Sequence, residues 1–319
     1  MRMRTRIKTK SVGLKALGLL LAGLMVLAAA SCGKKEKNIT VVIREQGSGT
    51  REAFDTVVTD GKQYLEEKVD GKKVYRSSKN AVTQTKTGLV LSAVAADPNA
   101  IGYISLGSVN DTVNTVRVGG VAASEETVLD GSYAIQRPFV VMTKKGQTLT
   151  ARTADFLRYL KSAAAESAAK DAGCIWLSDP AKRANAGAAP IPVETYEKLA
   201  SVPAGEKIVI RGSTSMEKVI TGAAKNYAAL YGVNAEDLFD IELEGSSVGR
   251  KAAESDTDGN VIGLSSAAVA QADIDSFNLC LDAVAVIVNK SNTTVTDLTL
   301  AQLYAIFSGS VTKFSALGD

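Results

Sequence analysis

The stretch Ile43-Arg44-Glu45-Gln46-Gly47-Ser48-Gly49-Thr50-Arg51-Glu52-Ala53-Phe54 decides how the rest of this chain is interpreted. It follows a β-branched run over positions 39–43. It leads into apolar residues at positions 54, 57 and 58, which have helical spacing. The pattern therefore predicts a strand, a glycine-containing turn and the beginning of a helix.

The residues of this turn are of the kinds that bind anions. Gly47 and Gly49 allow the backbone to direct N–H groups at a ligand, and Ser48 and Thr50 add hydroxyl donors. The positive end of the helix dipole faces the same point, and Arg44 offers a planar, permanently charged fork for an oxyanion. Taken alone, the same residues fit a plain turn with a helix cap equally well.

Length and composition set the class of protein. A chain of 319 residues with 45% hydrophobic residues is long enough for two globular domains, and its scarcity of aromatic residues, at 5%, suits an α/β protein. The formal net charge of +3 comes from basic residues near the N-terminus, so we expect no nucleic-acid surface. The chain contains no histidine, which excludes Ser-His-Asp catalysis and histidine-ligated metal sites. We expect no enzyme, no cofactor and no metal.

The N-terminus has the features of an export signal. Six basic residues between positions 2 and 15 precede an apolar run over 16–30, which ends in the small residues before Cys32. The segment resembles a bacterial lipoprotein signal, which predicts a signal peptide over 1–31, lipidation at Cys32 and a tether over 32–38. An ordinary signal peptide or an uncleaved anchor is the alternative. We expect an extracytoplasmic protein held at the membrane.

Alternating strand and helix patterns continue along the chain. We predict a polar helix and loop over 62–80, helices near 87–94, 153–169, 196–200, 219–231 and 298–307, and strands near 101–106, 113–118, 138–142, 207–210, 241–243, 261–266 and 283–288. A linker is expected over 187–206, where proline, glycine and alanine are frequent. Cys174 and Cys280 have apolar neighbours and are expected to be two buried thiols.

One local design occurs three times. Segments 44–50, 211–215 and 244–250 each place small or hydroxyl residues between a strand and a helix, with an arginine adjoining. Open α/β sheets bind ligands beyond the carboxyl ends of their strands, where such turns lie. We therefore expect several helix N-termini to converge on one oxyanion from two lobes.

Several motifs together resemble a known family. They are Gly212-Ser213-Thr214-Ser215, Gly245-Ser246-Ser247-x-Gly249, Ile262-Gly263-Leu264-Ser265-Ser266, the run 283–289, Leu298-x-x-x-Gln302-Leu303-x-x-Ile306-Phe307-Ser308-Gly309, Arg44-x-x-Gly47-Ser48-Gly49-Thr50-Arg51-x-x-Phe54 and Ile101-Gly102-Tyr103. This set resembles the substrate-binding protein of the phosphate ABC importer, a periplasmic-binding-protein-like protein of type II. The likeness covers nearly the whole chain after the signal.

The order of the motifs differs from that family. There, the Gly-Ser-Thr-Ser strand comes first and the Arg…Gly-Ser-Gly-Thr strand follows the Ile-Phe-Ser-Gly helix, whereas here the Arg44 segment comes first. We therefore expect a circular permutant in which the linker 187–206 joins the family's usual ends. A truncated piece of a tandem array is the alternative.

The resemblance implies the fold class and its lobes. It implies an α/β, two-lobed periplasmic-binding-protein-like fold, each lobe a mixed sheet flanked by helices, with a two-strand hinge between them. One lobe would combine 39–109 with 293–319 and carry the Arg44 motif. The other would run over 110–292 and carry Thr214, Ser215 and Ser246.

The resemblance also implies the anion ligands. Carried over position by position, they are Arg44, Ser48, Gly49, Thr50, Thr214, Ser215 and Ser246. Some family members have an Asp that accepts a hydrogen bond from protonated phosphate, and the matching position here is Ser266. Glu45 or Glu244 could substitute for that acid, or Ser266 itself could act as the acceptor.

We therefore expect a monomeric, lipid-anchored protein that captures inorganic phosphate and delivers it to an ABC permease. The same fold bound to another oxyanion, or serving as a sensor or surface protein, is the second hypothesis. A secreted serine hydrolase is the third, and it lacks a histidine base.

Overall fold

The computed structural model describes residues 36–179, 183 and 195–317. The chain divides into two compact units, Met1–Lys37 and Asn38–Asp319, and every helix and strand described below lies in the second unit. The expected signal peptide, Cys32, most of the predicted tether and residues 187–194 of the predicted linker lie outside the described residues. No helix among the described residues is long and apolar enough to cross a membrane.

The strands, numbered in chain order, have the following bounds. They are β1 (Thr40–Arg44), β2 (Glu66–Val69), β3 (Lys72–Tyr75), β4 (Val82–Gln84), β5 (Ala100–Ser105), β6 (Val113–Val118), β7 (Gln136–Lys144), β8 (Ile208–Gly212), β9 (Phe239–Leu243), β10 (Val261–Ser265), β11 (Ile274–Asn289) and β12 (Asp297–Leu298).

The helices alternate with these strands. They are α1 (Gly49–Asp55), α2 (Thr87–Ala96), α3 (Glu125–Leu129), α4 (Ala151–Lys161), α5 (Glu166–Asp171), α6 (Glu217–Leu230), α7 (Ala235–Leu238), α8 (Ser246–Glu254) and α9 (Leu300–Ser308). A 3₁₀ turn over Thr214–Met216 leads directly into α6. The α9 helix ends as predicted at Gly309, whose φ of 83° is the left-handed conformation that glycine adopts readily.

Ten strands form one mixed sheet. Its main path runs β4-β1-β5-β11-β7-β10-β8-β9, and β6 and β12 attach at β11 and β6. β1 is parallel to β4 and β5, and β8 is parallel to β9 and β10. β11 pairs antiparallel with β5, β6 and β7, so it joins the two parallel groups.

The hydrophobic core divides along β11. Phe277, Leu279 and Cys280 pack in one cluster with β7, β8, α4 and α6, whereas Ala283 and Val284 pack in a second cluster with β1, β5, α1 and α9. The α/β fold with a two-lobed arrangement follows from these two cores. The strands β7 and β11 run between them, side by side and antiparallel.

The two clusters divide the chain at other positions than the predicted lobe limits. Val116 and Val128, which the prediction assigned to the lobe over 110–292, pack in the cluster that contains β1 and α9. The reason is that β6 pairs with the second half of β11, from Val286 to Asn289. In the core, the change from one cluster to the other falls near the beginning of β7 and between Cys280 and Ala283, and Ile175 also packs in the cluster of β1 and α9.

Most predicted elements are present, and the prediction over 62–80 is wrong. That segment forms the antiparallel hairpin β2–β3 rather than a helix and loop. Asp70 and Gly71 join the two strands with φ of 51° and 77°, a pair of positive values that Asp-Gly supplies in two-residue hairpin turns. This Asp-Gly pair was the sequence signal from which the hairpin could have been predicted.

The short helix predicted over 196–200 is also absent. Residues 195–199 have no regular secondary structure. Side-chain bonds hold the segment instead: the Tyr196 hydroxyl donates to Asp155 at 2.9 Å, and Lys198 Nζ donates to the carbonyl of Leu230 at 2.8 Å. Cys174 and Cys280 are free and buried, as predicted.

Candidate functional site

The three predicted turns all follow the carboxyl ends of strands. β1 ends at Arg44, β8 at Gly212 and β9 at Leu243. Each strand is followed within five residues by a helix or 3₁₀ turn, beginning at Gly49, Thr214 and Ser246. This is the edge of an open α/β sheet at which ligands bind.

The fold brings the first of these turns into direct contact with the other two, from distant parts of the chain. Thr50 Oγ1 lies 2.9 Å from Ser215 Oγ, and the backbone N–H of Gly49 donates to Ser246 Oγ at 3.3 Å. Thr50 and Ser246 belong to helices that pack in different halves of the molecule. The predicted convergence of turns from two parts of the protein is therefore present in the structure.

Gly49 lies too close to the opposite turn to carry a side chain. A Cβ at this position would lie 2.6 Å from Ser246 Oγ and 2.7 Å from the carbonyl carbon of Ser266. The second of these atoms belongs to the backbone and cannot rotate away. Glycine here is therefore required by close approach of two backbone segments.

Arg44 is buried, with 2% of its surface exposed, and its guanidinium donates to a hydroxyl, to a carboxylate and, at 3.2 Å, to the carbonyl of Thr85. Nη1 donates to Thr87 Oγ1 at 3.2 Å, on the side of the hydroxyl groups. Nε and Nη2 donate to the two carboxylate oxygens of Glu45, each at 2.9 Å. Glu45, one of the two acids suggested to replace the missing Asp, is thus paired with Arg44 and does not contact the hydroxyls.

Ser266 lies among the other predicted ligands. Its hydroxyl accepts from Ser213 Oγ at 2.8 Å and lies 3.2 Å from Ser246 Oγ, and its N–H donates to Ser246 Oγ at 3.0 Å. Glu244, the other suggested acid, is exposed. The position that matches the family's Asp is therefore in the cluster, and it carries a hydroxyl.

Ser48 is placed differently from the other predicted ligands. Its Oγ accepts from the N–H of Arg51 at 3.4 Å and caps helix α1. No contact between this hydroxyl and the cluster is found within the described part of the chain. Its role in the structure is to begin the helix that presents Gly49 and Thr50.

The sequence reasoning missed Thr87 and Ser213. Thr87 Oγ1 lies 3.1 Å from Thr214 Oγ1 and 3.2 Å from Ser215 Oγ, and the N–H of Thr87 donates to Thr214 Oγ1 at 3.3 Å. Thr87 begins the ten-residue helix α2 directly after β4, so it repeats the design of the other three turns. The signal was weak because β4 has three residues, of which only Val82 is apolar.

Two buried ion pairs support the cluster from behind. Arg51 donates to Asp55 at 2.9 Å and to the carbonyl of Arg44 at 3.0 Å. Burial raises the pKa of Asp55 to about 6, against the opposing effect of the Arg51 charge. This pair fixes the end of β1, and so the direction of the Arg44 side chain.

The second pair lies between the two long strands. Arg137 on β7 and Asp282 on β11 are cross-strand partners, with Nη2 and Oδ2 2.9 Å apart. Arg137 Nη1 also donates to the carbonyl of Ser266 at 3.3 Å, and Ser105 donates to Asp282 Oδ1 at 2.8 Å. Burial raises the pKa of Asp282 and lowers the pKa of Arg137, although each partner's charge opposes the shift.

Two cavities open beside the cluster. One of about 370 Å³ is lined by Glu45, Lys86 and Ser247, and one of about 550 Å³ is lined by Lys86, Thr214 and Glu217. Thr214 belongs to both the cluster and the larger cavity, which gives the hydroxyl groups a path to solvent. Among the described residues, no group of three or more side chains has the arrangement of a metal site.

Comparison with known proteins shows the family. The model of the PBP superfamily domain matches residues 27–164 and 167–318. The phosphate-binding protein PstS 2 of Streptococcus pneumoniae serotype 4 is 33% identical over 325 residues, which cover 99% of this chain and 100% of that protein. PstS 2 of Streptococcus agalactiae serotype V is 34% identical over 306 residues, covering 93% and 94% of the two chains.

Two further comparisons concern the chain order and the three-dimensional structure. The phosphate-binding protein PstS of Bacillus subtilis is 30% identical over 131 residues, covering 41% of this chain and 38% of that protein. The crystal structure of a phosphate ABC transporter, phosphate-binding protein from Streptococcus pneumoniae TIGR4 covers 88% of this chain and all of that chain, with a TM-score of 0.63 and 32% identity. Matches along almost the whole length, in both sequence and fold, place this chain in the PBP superfamily.

Proposed function

We propose that this chain is an extracytoplasmic solute-binding protein that captures inorganic phosphate and delivers it to an ABC importer. The observation that carries the proposal is the contact between Arg44, Thr87 and Ser215, in which a buried guanidinium and hydroxyls from distant turns meet. The names of the streptococcal relatives, phosphate-binding proteins that align from end to end, support the choice of phosphate. Phosphate is a tetrahedral oxyanion, and converging N–H and O–H donors fit it.

The ligands have distinct roles in this proposal. Arg44 supplies charge-assisted hydrogen bonds through Nη1, and Gly49 supplies a backbone N–H. Thr50, Thr214, Ser215 and Ser246 supply hydroxyls, and we add Thr87 to them. The anion enters between Thr50 and Ser215 and replaces their mutual contact of 2.9 Å. Ser48 acts through helix α1, and Ser266 lies beside Ser246 in the cluster.

Binding between two lobes accounts for how the anion is enclosed. The two cores suggest lobes of 38–135 with 283–317 and of 136–282, which modify the expected limits of 39–109 with 293–319 and of 110–292. A change in the angle between them at β7 and β11 would open and close the site. Tyr196 and Val202, in the described part of the predicted linker, pack against the core of the second lobe.

The unusual order of motifs is part of the proposal. The alignments with the streptococcal proteins run end to end, so this chain shares their order. The alignment with the Bacillus subtilis protein stops at 131 residues. A circularly permuted order would have this effect, since an alignment that keeps chain order can match only one of the two exchanged segments.

Attachment to the membrane rests on the sequence alone. The basic start, the apolar run and Cys32 favour a lipoprotein signal over 1–31, with a tether over 32–38. The lipid would keep a monomeric receptor close to its permease. An enzymatic role is not proposed, because the chain has no histidine and its relatives are named as binding proteins.

The test is a calorimetric titration of the purified full-length chain with phosphate. We expect a dissociation constant on the order of micromolar. The variant Arg44→Ala should bind at least about tenfold more weakly, because it removes the charge-assisted bonds. Arg76→Ala, which removes an exposed arginine paired with Glu67, is the control and should bind as the unchanged protein does. No phosphate binding at millimolar concentration would refute the proposal.

A further inference from the structure

Hydroxyl groups dominate the cluster between the turns. Seven hydroxyls contact one another or the backbone N–H groups around them: Thr50, Thr87, Ser213, Thr214, Ser215, Ser246 and Ser266. All seven side chains belong to buried residues. A hydroxyl can donate one hydrogen bond and accept two, so the direction of each bond decides what the cluster presents to a ligand.

Donors from the protein already occupy many of the hydroxyl lone pairs. Ser246 Oγ accepts from the N–H groups of Gly49 and Ser266, at 3.3 and 3.0 Å. Thr214 Oγ1 accepts from the N–H of Thr87, and Ser213 Oγ accepts from the N–H of Ser215, each at 3.3 Å. Because both lone pairs of Ser246 Oγ are occupied, this hydroxyl must be the donor in its contact with Ser266 Oγ.

Arg44 likewise occupies a hydroxyl lone pair, on the other side of the cluster. Its Nη1 donates to Thr87 Oγ1, and a guanidinium cannot accept a hydrogen bond. Ser266 Oγ accepts from Ser213 Oγ and is 3.2 Å from Ser246 Oγ, the group that must donate. The Ser266 proton is therefore also directed away from these two neighbours.

The seven hydroxyl protons outnumber the hydroxyl-to-hydroxyl contacts within the cluster. Five hydroxyl-to-hydroxyl contacts join the seven groups, and each contact uses one proton. At least two O–H groups thus have no acceptor inside the cluster. Across residues 36–179, 183 and 195–317, none of the seven hydroxyls donates to a carboxylate or a carbonyl oxygen.

The nearest acids do not change this balance. Both oxygens of Glu45 accept from Arg44, and Glu244 is exposed at the edge of the two cavities. Asp55 and Asp282 are held by Arg51 and Arg137. The cluster thus offers donors and no acceptor-only group.

We propose that this cluster, which has no carboxylate facing it, accepts any tetrahedral dianion, so that sulfate binds about as tightly as phosphate, and that Ser266 is the residue that sets this selectivity. Every oxygen of sulfate is an acceptor, whereas phosphate near neutral pH keeps at least one proton that needs an acceptor of its own. With no carboxylate facing the ligand, nothing repels an unprotonated oxygen. The inference rests on the proposed function, since it concerns the same site.

The first test is competition on the unchanged full-length protein. Sulfate is titrated calorimetrically into the protein alone and into the protein saturated with phosphate. We expect the two dissociation constants to agree within about tenfold. If phosphate binds and an excess of sulfate of about a hundredfold does not displace it, the inference is overturned and the proposed function stands. If phosphate does not bind, whether or not sulfate does, both the proposed function and the inference fail.

The second test uses pH and needs no variant. Between about pH 6 and about pH 8, phosphate loses its second proton while sulfate stays a dianion. A site without a carboxylate should therefore bind phosphate more tightly, relative to sulfate, at the higher pH. A preference for phosphate that weakens as the pH rises would mean that the site accepts a proton from its ligand, and would overturn the inference.

The third test places an acceptor in the cluster. Ser266→Asp should weaken sulfate binding about a hundredfold relative to phosphate, because a buried carboxylate repels an unprotonated oxygen and accepts a bond from a protonated one. Ala268→Asp adds the same charge at an exposed position two residues away and should leave the ratio unchanged. An unchanged ratio in Ser266→Asp would overturn the role of Ser266. Should that variant not fold, the competition and pH measurements still decide the proposal.

Discussion

The hydroxyl of Thr87 contacts both the Arg44 guanidinium and two other hydroxyls of the cluster. It lies within 3.2 Å of Arg44 Nη1, Thr214 Oγ1 and Ser215 Oγ. It also begins helix α2, which has no side-chain cap of its own. The residue therefore connects the guanidinium to the turn between β8 and α6.

Replacing this hydroxyl should weaken phosphate binding. Thr87→Val keeps the shape of the side chain and leaves Arg44 Nη1 without its partner, so we expect a loss of about tenfold in affinity by calorimetry. Thr87→Ser keeps the hydroxyl and should bind within about twofold of the unchanged protein. Thr221→Val removes an exposed hydroxyl of α6 that bonds only its own helix, and it serves as the control. Equal affinity in Thr87→Val and Thr87→Ser would exclude Thr87 as a ligand.

At this scale, the sequence predicts residue types better than it predicts their pairings. The Gly-Ser-Gly-Thr turn indicated donors at Gly49 and Thr50, and both face the opposite turn. It could not show that Glu45 would pair with Arg44, because that depends on the rotamers of two adjacent side chains. The turn sequence also could not show that the Ser48 hydroxyl would cap helix α1 instead of joining the cluster.

At the scale of elements, β7 and β11 form the connection between the two cores, and a buried ion pair joins them. Arg137→Met would leave Asp282 as an uncompensated buried charge, so we expect a loss of about 3–5 kcal/mol in the free energy of unfolding. The double variant Arg137→Met with Asp282→Leu removes both charges and should recover part of that loss. Urea denaturation gives both values.

A matched pair provides the control for this measurement. Lys170 and Glu166 form an exposed pair on α5, and Lys170→Met should change the free energy of unfolding by less than about 1 kcal/mol. A double variant at positions 137 and 282 that is as unstable as the sum of its single variants would contradict the account. In that case the two charges would not act on each other.

The carboxylate of Asp155 connects several elements of the core that contains β7, β8, α4 and α6. Its Oδ2 accepts from the hydroxyls of Tyr196, Tyr227 and Tyr231, at 2.8–2.9 Å. Burial alone would raise the pKa of Asp155, but the hydrogen bonds from Arg158 and the tyrosines outweigh it and lower the pKa below its ordinary value. The network ties the segment around Tyr196 to α4 and α6.

This lowered pKa predicts a pH dependence of stability. A carboxyl whose pKa is lower in the folded state stabilises the fold above its ordinary pKa of about 3.9, and the contribution is lost as the pH falls through the folded value. Asp155→Asn should therefore cost about 2 kcal/mol at about pH 6, and the difference from the unchanged protein should shrink below about pH 4. Urea denaturation at several pH values measures it. A difference that is constant with pH would contradict the assignment.

The elements also show which helices and strands can be predicted from local sequence patterns. Helix α9 and Gly309 were predicted because the apolar period and the glycine stop agree. The first half of β11 was missed because Asp275, Ser276 and Asn278 interrupt its apolar pattern. Pairing with β7 holds that half in the sheet, and such long-range pairing is not visible in local sequence.

At the scale of the whole molecule, the fold class could be predicted from the sequence, whereas the lobe limits stay a prediction. Motifs that occur together indicated the family, because each motif marks a strand end in the same sheet. The limits depend on which core β6 joins. Its pairing with Val286 and Val288 of β11 decides this, over more than 150 positions of sequence separation.

The central claim is that one anion is held between turns from both halves of the molecule. The most direct measurement is a crystal structure of the protein grown with phosphate. The account predicts phosphate oxygens within about 3.2 Å of Arg44 Nη1, the Gly49 N–H and the hydroxyls of Thr50, Ser215 and Ser246. Phosphate bound only elsewhere, such as in the cavity beside Glu45 and Lys86 with no contact to Arg44 or Thr50, would contradict it.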